Sequence, residues 1–154
     1  MNTSDNCRCG ETAFPRGQSA SHPPADGRLI IDRRTVLVID DDPAVRGALK
    51  FSLEIEGFRV LCYASAAEFL QASDLPRRAC LVVDEKMPGA SGLDMLVSLA
   101  HERRATLPAI LITSYPSAAL RARALAVGVP IVEKPLLNNA LSEAIDAAMN
   151  GLQN

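Results

Sequence analysis

The chain has 154 residues, against roughly 100 to 200 for a typical domain, so one domain is expected with little room for a second. With 48% hydrophobic and 22% charged residues it can bury a real core, which excludes a disordered protein, and a net charge of −2 lacks the basic footprint of a nucleic-acid binder. No run of about 18 apolar residues occurs and no basic start precedes an apolar stretch at the N-terminus, so the expectation is a cytoplasmic protein without a membrane span or secretion signal.

Residues 1–34 are rich in Ser, Gly, Pro and Arg without an apolar period, and read as a flexible N-terminal extension. The Cys7-Arg8-Cys9 pair has only His22 nearby as a further ligand, too few for zinc. All four cysteines are therefore read as free thiols.

From Thr35 onward, short apolar runs alternate with stretches of helical period, the mark of repeated β-α units around a parallel sheet. The strands expected are Thr35 to Ile39, Arg59 to Tyr63, Cys80 to Val83, Ala109 to Thr113 and Pro130 to Glu133. The helices expected between them are Pro43 to Glu56, Ser65 to Ala72, Gly92 to His101, Pro116 to Val127 and Asn138 to Asn150. In the first helix Val45, Leu49, Leu53 and Ile55 or Glu56 form the stripe expected to be buried, with Gly57 as the stop. In the last, Leu137, Leu141, Ile145 and Met149 repeat that spacing before Gly151. With three residues left after Gly151, no C-terminal output domain is expected.

In an open parallel sheet the ligand sits beyond the carboxyl ends of the strands. There the runs end in Asp40-Asp41-Asp42-Pro43, in Asp84, in Thr113-Ser114 and in Glu133-Lys134-Pro135. Asp42 before Pro43 reads as a helix N-cap followed by a proline at the first helical position. Asp40, Asp41 and Asp84 are different, because carboxylates crowded at strand ends repel unless a cation offsets them, and Mg²⁺ suits an all-oxygen site. A metal on one side with the Thr113 hydroxyl and the Lys134 ammonium on the other is what a transferring phosphoryl group needs. An aspartate there can act as nucleophile and form an acyl phosphate.

These residues carry a resemblance. The stretch 35–150, with phrases such as Val83-Asp84-Glu85-Lys86-Met87-Pro88-Gly89-Ala90-Ser91-Gly92 and Glu133-Lys134-Pro135, resembles the CheY-like receiver domain of bacterial two-component response regulators, most closely the FixJ-type branch. The resemblance implies an α/β fold, a flavodoxin-like (βα)5 sandwich whose five parallel strands run in the order 2-1-3-4-5. It implies that Asp84 accepts a phosphoryl group from a histidine kinase or histidine phosphotransfer protein. It also implies that Asp41, Asp84 and the backbone carbonyl of Lys86 hold Mg²⁺, with Asp40 acting through water, and that Thr113 and Lys134 bind phosphoryl oxygens. The Lys134-Pro135 bond is expected to be cis.

Two departures fall on the region that reports phosphorylation. Where most receivers carry Tyr or Phe, three residues before the lysine, this chain has Ile131, and the loop Ser114-Tyr115-Pro116-Ser117 is slightly shorter than in FixJ-type relatives. Phosphorylation is expected to survive with an altered read-out, Tyr115 taking over part of the missing aromatic's role.

Other functions fit less well. A flavin phosphate would be repelled by Asp40, Asp41 and Asp42, and no glycine-rich nucleotide loop is present. A Mg²⁺ phosphohydrolase would need a carboxylate where Lys86 stands, and a degenerate docking module would not need Asp84, Thr113 and Lys134 intact. The reading is a stand-alone receiver, 35–151, not an enzyme beyond its own phosphorylation and slow dephosphorylation. It would signal to a downstream protein through the helix from Pro116 to Val127, the strand around Ile131 and the last helix. Cys62 and Cys80 fall on strands that are not neighbours in the 2-1-3-4-5 order, so they are expected to be core thiols.

Overall fold

The computed structural model describes residues 34–102, 107–136 and 139–151. The N-terminal extension with Cys7, Cys9 and His22 lies outside the described residues, as do Leu137 and Asn138 at the expected start of the last helix.

Seven strands and five helices are described: β1 Thr35–Ile39, α1 Pro43–Ile55, β2 Arg59–Tyr63, α2 Ala66–Gln71, β3 Ala79–Asp84, β4 Lys86–Met87, β5 Ala90–Ser91, α3 Gly92–Glu102, β6 Ala109–Thr113, α4 Ala118–Ala126, β7 Ile131–Glu133 and α5 Ala140–Asn150. Five strands make one sheet in the order β2-β1-β3-β6-β7, with parallel pairing throughout. Counting only these five, the order is the expected 2-1-3-4-5. The β4-β5 pair is a separate antiparallel hairpin between β3 and α3.

Side chains of a strand alternate between faces, and both faces here are covered by helices. Val36, Val38, Val82, Ile110 and Ile112 pack with Leu49 and Leu53 of α1 and Leu141 and Ile145 of α5. Leu37, Ile39, Leu81, Val83 and Leu111 pack on the other face with Phe69, Leu93, Leu96, Leu99 and Ala124 from α2, α3 and α4. This two-sided burial is why β1 is apolar from Val36 to Ile39 and β3 from Ala79 to Val83, with Asp40 and Asp84 following at the carboxyl edge.

Several boundaries differ from expectation. Helix α4 begins at Ala118, because Ser117 is the N-cap and its hydroxyl accepts from the Leu120 N–H at 3.1 Å, leaving Pro116 in the loop. In α1 the buried stripe is Leu49 and Leu53 with Val45 partly buried, whereas Ile55 is 70% exposed and Glu56 is the exposed C-cap. Ile55 lies two residues past Leu53, about 200° around the helix, and so faces away from the sheet. Gly57 does end α1, with φ of 93° and the paired bonds Gly57 N–H to Glu54 and Phe58 N–H to Leu53. In α5, Leu141 and Ile145 are buried and Met149 packs partly against the core.

Candidate acidic phosphoryl-transfer site

Parallel strands all deliver their last residues to the same rim, and the order of the sheet places β1, β3, β6 and β7 side by side. The rim therefore gathers Asp40 and Asp41 after β1, Asp84 at the end of β3, Thr113 at the end of β6 and Lys134 after β7. One oxygen from each of Asp40, Asp41 and Asp84 lies within 4.8 Å of the others.

Asp40 is buried at 1% exposure, its Oδ1 accepting from the Asp42 N–H at 2.9 Å and its Oδ2 lying 3.4 Å from Lys134 Nζ. Its backbone carbonyl accepts from Arg46 at 2.7 Å, which ties the first turn of α1 to the rim. Asp41 is exposed. Asp42 caps α1, its side chain accepting from the Ala44 N–H at 2.9 Å with Pro43 following, as its sequence position suggests.

Asp84 is buried at 6% exposure, and Lys134 Nζ donates to its Oδ1 at 2.9 Å. Burial pushes the Asp84 carboxyl above its ordinary pKa; the Lys134 hydrogen bond opposes this, and the nearby charges of Asp40 and Asp41 add to the rise. For Lys134 burial works downward, but the hydrogen bond and charge of Asp84, with Asp40 behind it, win and push the ammonium up. Among the described residues, Lys134 is ion-paired with Asp40 and Asp84, while Asp41 has no ion-pair partner. The rim carries more negative charge than its own residues can offset.

Thr113 is 2% exposed, and its Oγ1 is a buried side-chain oxygen without a hydrogen-bond partner among the described residues. A buried hydroxyl left unpaired costs about 1–3 kcal/mol. Its backbone is fixed, the Thr113 carbonyl accepting from the Lys134 N–H at 2.9 Å. The Lys134–Pro135 peptide is cis.

The all-oxygen donor set, the uncompensated charge and the orphaned hydroxyl together fit a hard divalent cation beside a phosphoryl group. Lys86, in β4, carries its ammonium 5.8 Å from the centre of the Tyr115 ring, and Tyr115 is 82% exposed at the mouth of the site. Ile131 is partly buried in β7, beside Leu111 in register and packed into the α2-α3-α4 side of the core.

Two contributors were not legible in the sequence. Glu85 accepts from Ser91 Oγ at 2.7 Å and from the Leu93 N–H at 2.9 Å, closing the loop that follows Asp84. Gly92 has no room for a side chain, since a Cβ there would lie 2.3 Å from the Asp84 carbonyl oxygen. The signal for Gly92 was a glycine opening a helix, a position that does not favour glycine unless backbone approaches closely.

The model of the response regulator receiver domain matches residues 36–146. The chain belongs to the receiver-domain family of two-component response regulators. Among curated proteins it is 40% identical over 115 residues to the transcriptional regulatory protein FixJ of Azorhizobium caulinodans, covering 74% of this chain and 54% of that one. It is 34% identical over 119 residues to FixJ of Rhizobium meliloti, covering 77% and 58%. The chain thus spans about half the length of these relatives. Of solved structures, that of FixJ-N matches with a TM-score of 0.69 and 32% identity, over 78% of this chain and 96% of that one. A receiver domain protein from Clostridium thermocellum matches with a TM-score of 0.69 and 29% identity, over 78% and 97%. The flavodoxin-like fold and the FixJ-type resemblance expected from the sequence are both shown by these matches. Response-regulator receivers are in general not classical enzymes, and among the described residues no helix is long and apolar enough to cross a membrane.

Proposed function

We propose that Asp84 accepts a phosphoryl group from a phosphohistidine on a kinase or phosphotransfer protein, within a receiver unit spanning 35–151. The observation that carries this reading is the buried, unpaired Thr113 hydroxyl on the same rim as the Lys134–Asp84 pair and the two further carboxylates. An Asp84 oxygen attacks the phosphorus in line with the leaving imidazole nitrogen; the new O–P bond forms as the N–P bond breaks, and the imidazole leaves on the donor. Thr113 Oγ1, which has no hydrogen-bond partner among the described residues, donates to one phosphoryl oxygen. Lys134 moves its hydrogen bond from the Asp84 carboxylate to another, while retaining Asp40 as a neighbour.

The residues that would hold Mg²⁺ are Asp41 and Asp84 with the Lys86 carbonyl, and Asp40 through water; when bound, the ion neutralises charge on the transferring group. The alternative of a phosphohydrolase is weaker, because the residue two beyond Asp84 is Lys86, whose ammonium faces Tyr115.

The read-out differs from the usual one. Ile131 is aliphatic and already packed, so it supplies no ring to swing inward, and Tyr115 is the exposed aromatic close to Thr113. The signal passes to a downstream protein across α4, β7 and α5. On α4, Ala118, Ala119, Ala122 and Leu125 are exposed while Ala124 is buried in the core; Arg121 is paired with Glu133 and Arg123 with Asp94.

The test is intact mass after incubation with Mg²⁺ and a small phosphodonor. One phosphoryl adduct, absent without Mg²⁺ and absent in Asp84→Asn, is the expected result. No adduct on the unaltered protein, with the α4 surface still binding partners, would replace this reading by a phosphorylation-independent docking module, for which Ile131 is the supporting feature.

A further inference from the structure

The residue after Asp84 has a role that its neighbours do not share. Its backbone N–H donates to the Ile112 carbonyl at 3.0 Å, carrying the β3–β6 pairing one step past the site. Its carbonyl accepts from the Gly92 N–H at 3.0 Å, at the first residue of α3. Between these two points the chain runs out through the β4–β5 hairpin and back, Lys86 lying opposite Ser91. The Glu85 carboxylate then closes the same gap a second time, taking the Ser91 hydroxyl on one oxygen and the Leu93 N–H on the other.

The Leu93 N–H is one of the donors that a helix leaves unmet in its first turn, and a carboxylate is the strongest acceptor for it. The helix start is pressed against the site itself, since Gly92 has no space between it and the Asp84 carbonyl. The backbone on either side of Glu85 belongs to Asp84 and Lys86. Any slack in the loop therefore turns both the Asp84 carboxylate and the Lys86 carbonyl. The Glu85 carboxylate is engaged by the Ser91 hydroxyl and the Leu93 N–H, so it acts on the rim through the backbone that it holds.

We infer that Glu85 is a positioning residue, a clamp that holds Asp84 and the Lys86 carbonyl in the orientation needed for divalent-cation binding and phosphoryl acceptance. The inference rests on the reading of Asp84 as phosphoacceptor. Partners that orient metal ligands from the outer shell change metal affinity by about 10–100-fold when removed.

The experiment is calorimetric titration of the full chain with Mg²⁺, alongside thermal melting without Mg²⁺, for the unaltered protein, Glu85→Ala, Glu85→Gln and Ser65→Ala. Ser65 caps α2, its hydroxyl accepting from the Glu68 N–H at 3.1 Å, and serves as a loss of a helix cap whose bond involves none of the residues that would hold the ion. Glu85→Ala is expected to weaken Mg²⁺ binding about tenfold or more. Glu85→Gln, which keeps an acceptor for Leu93 and a polar group for Ser91, is expected to recover most of it. Ser65→Ala is expected to melt earlier with unchanged Mg²⁺ affinity. Equal Mg²⁺ affinity in Glu85→Ala and the unaltered protein, with only melting affected, overturns the clamp and leaves a helix cap. Should Glu85→Ala not fold, Ser91→Ala removes one of the two donors and must weaken Mg²⁺ binding for the inference to stand. Absence of Mg²⁺ binding by the unaltered protein is the separate result that removes the site reading and the clamp with it.

Discussion

Replacing Asp41 by Asn removes one of three like charges while keeping the side chain's size. With carboxylate oxygens within 4.8 Å, each pair in the cluster repels by about 1 kcal/mol at the dielectric of water and by about 3 kcal/mol at an effective value near 20. Asp41 is exposed, so the lower figure governs; it has two such neighbours, and salt screens part of the repulsion. The expected gain is about 1 kcal/mol in low salt at neutral pH without Mg²⁺, or about 4 °C in Tm for a domain of this size. Asp84, losing one of the charges that raise its pKa, shifts back toward its ordinary value, though burial keeps it raised.

The pH dependence follows from linkage. A carboxyl whose folded pKa lies above its unfolded one favours the folded state below the unfolded value, and that advantage is lost as pH rises through the folded value. The stability difference between Asp41→Asn and the unaltered protein is therefore smallest in acid, where Asp84 is protonated in both, and grows as Asp84 ionises. Urea unfolding at low and high salt, with and without Mg²⁺, measures all of this. High salt should shrink the gain, and Mg²⁺ should stabilise the unaltered protein and not the variant. An Asp41→Asn protein less stable than the unaltered chain in low salt without Mg²⁺ would refute the electrostatic argument.

Three further outcomes are expected. Thr113→Val, which replaces the unpaired buried hydroxyl by a methyl group, should stabilise the chain by about 1 kcal/mol in urea unfolding while slowing adduct formation on Asp84; a destabilised variant would show that the hydroxyl has a partner in solution. Gly92→Ala should cost about 1–3 kcal/mol, because the new Cβ meets the Asp84 carbonyl and backbone must move; unchanged unfolding would mean that the loop is looser than described. Cys80 is buried and its thiol is pushed up to about 12 by burial, so mass mapping after iodoacetamide at pH 8 should find it unmodified until denaturant is added. Rapid native labelling of Cys80 would contradict its place in the core.

The five chemistry-bearing residues of the rim were legible because each ends an apolar run, and parallel strands bring such ends together. Asp40 and Asp41 stood out once Asp42-Pro43 had accounted for the helix start. A proline suits the first helical position and so points to Pro116 as the start of α4, but Ser117, the residue after it, holds the cap. Ile55 misled because its apolar character fits a stripe that the helical angle does not. The β4–β5 hairpin was invisible, since two-residue strands have no periodicity. Nothing in the sequence around Glu85 gives it a role; only the return of the chain to Ser91 and Leu93, a tertiary contact, gives its carboxylate a purpose.

The central claim is that Asp84 is the nucleophile. The most direct measurement is borohydride trapping after phosphorylation in Mg²⁺, followed by peptide mass mapping. Hydride reduces an aspartyl phosphate to homoserine and releases phosphate, marking the carboxyl that carried it. Homoserine at position 84 and at no other aspartate is the predicted result. Homoserine at Asp40 or Asp41, or a phosphoryl group that survives borohydride on a hydroxyl or imidazole side chain, would contradict the account.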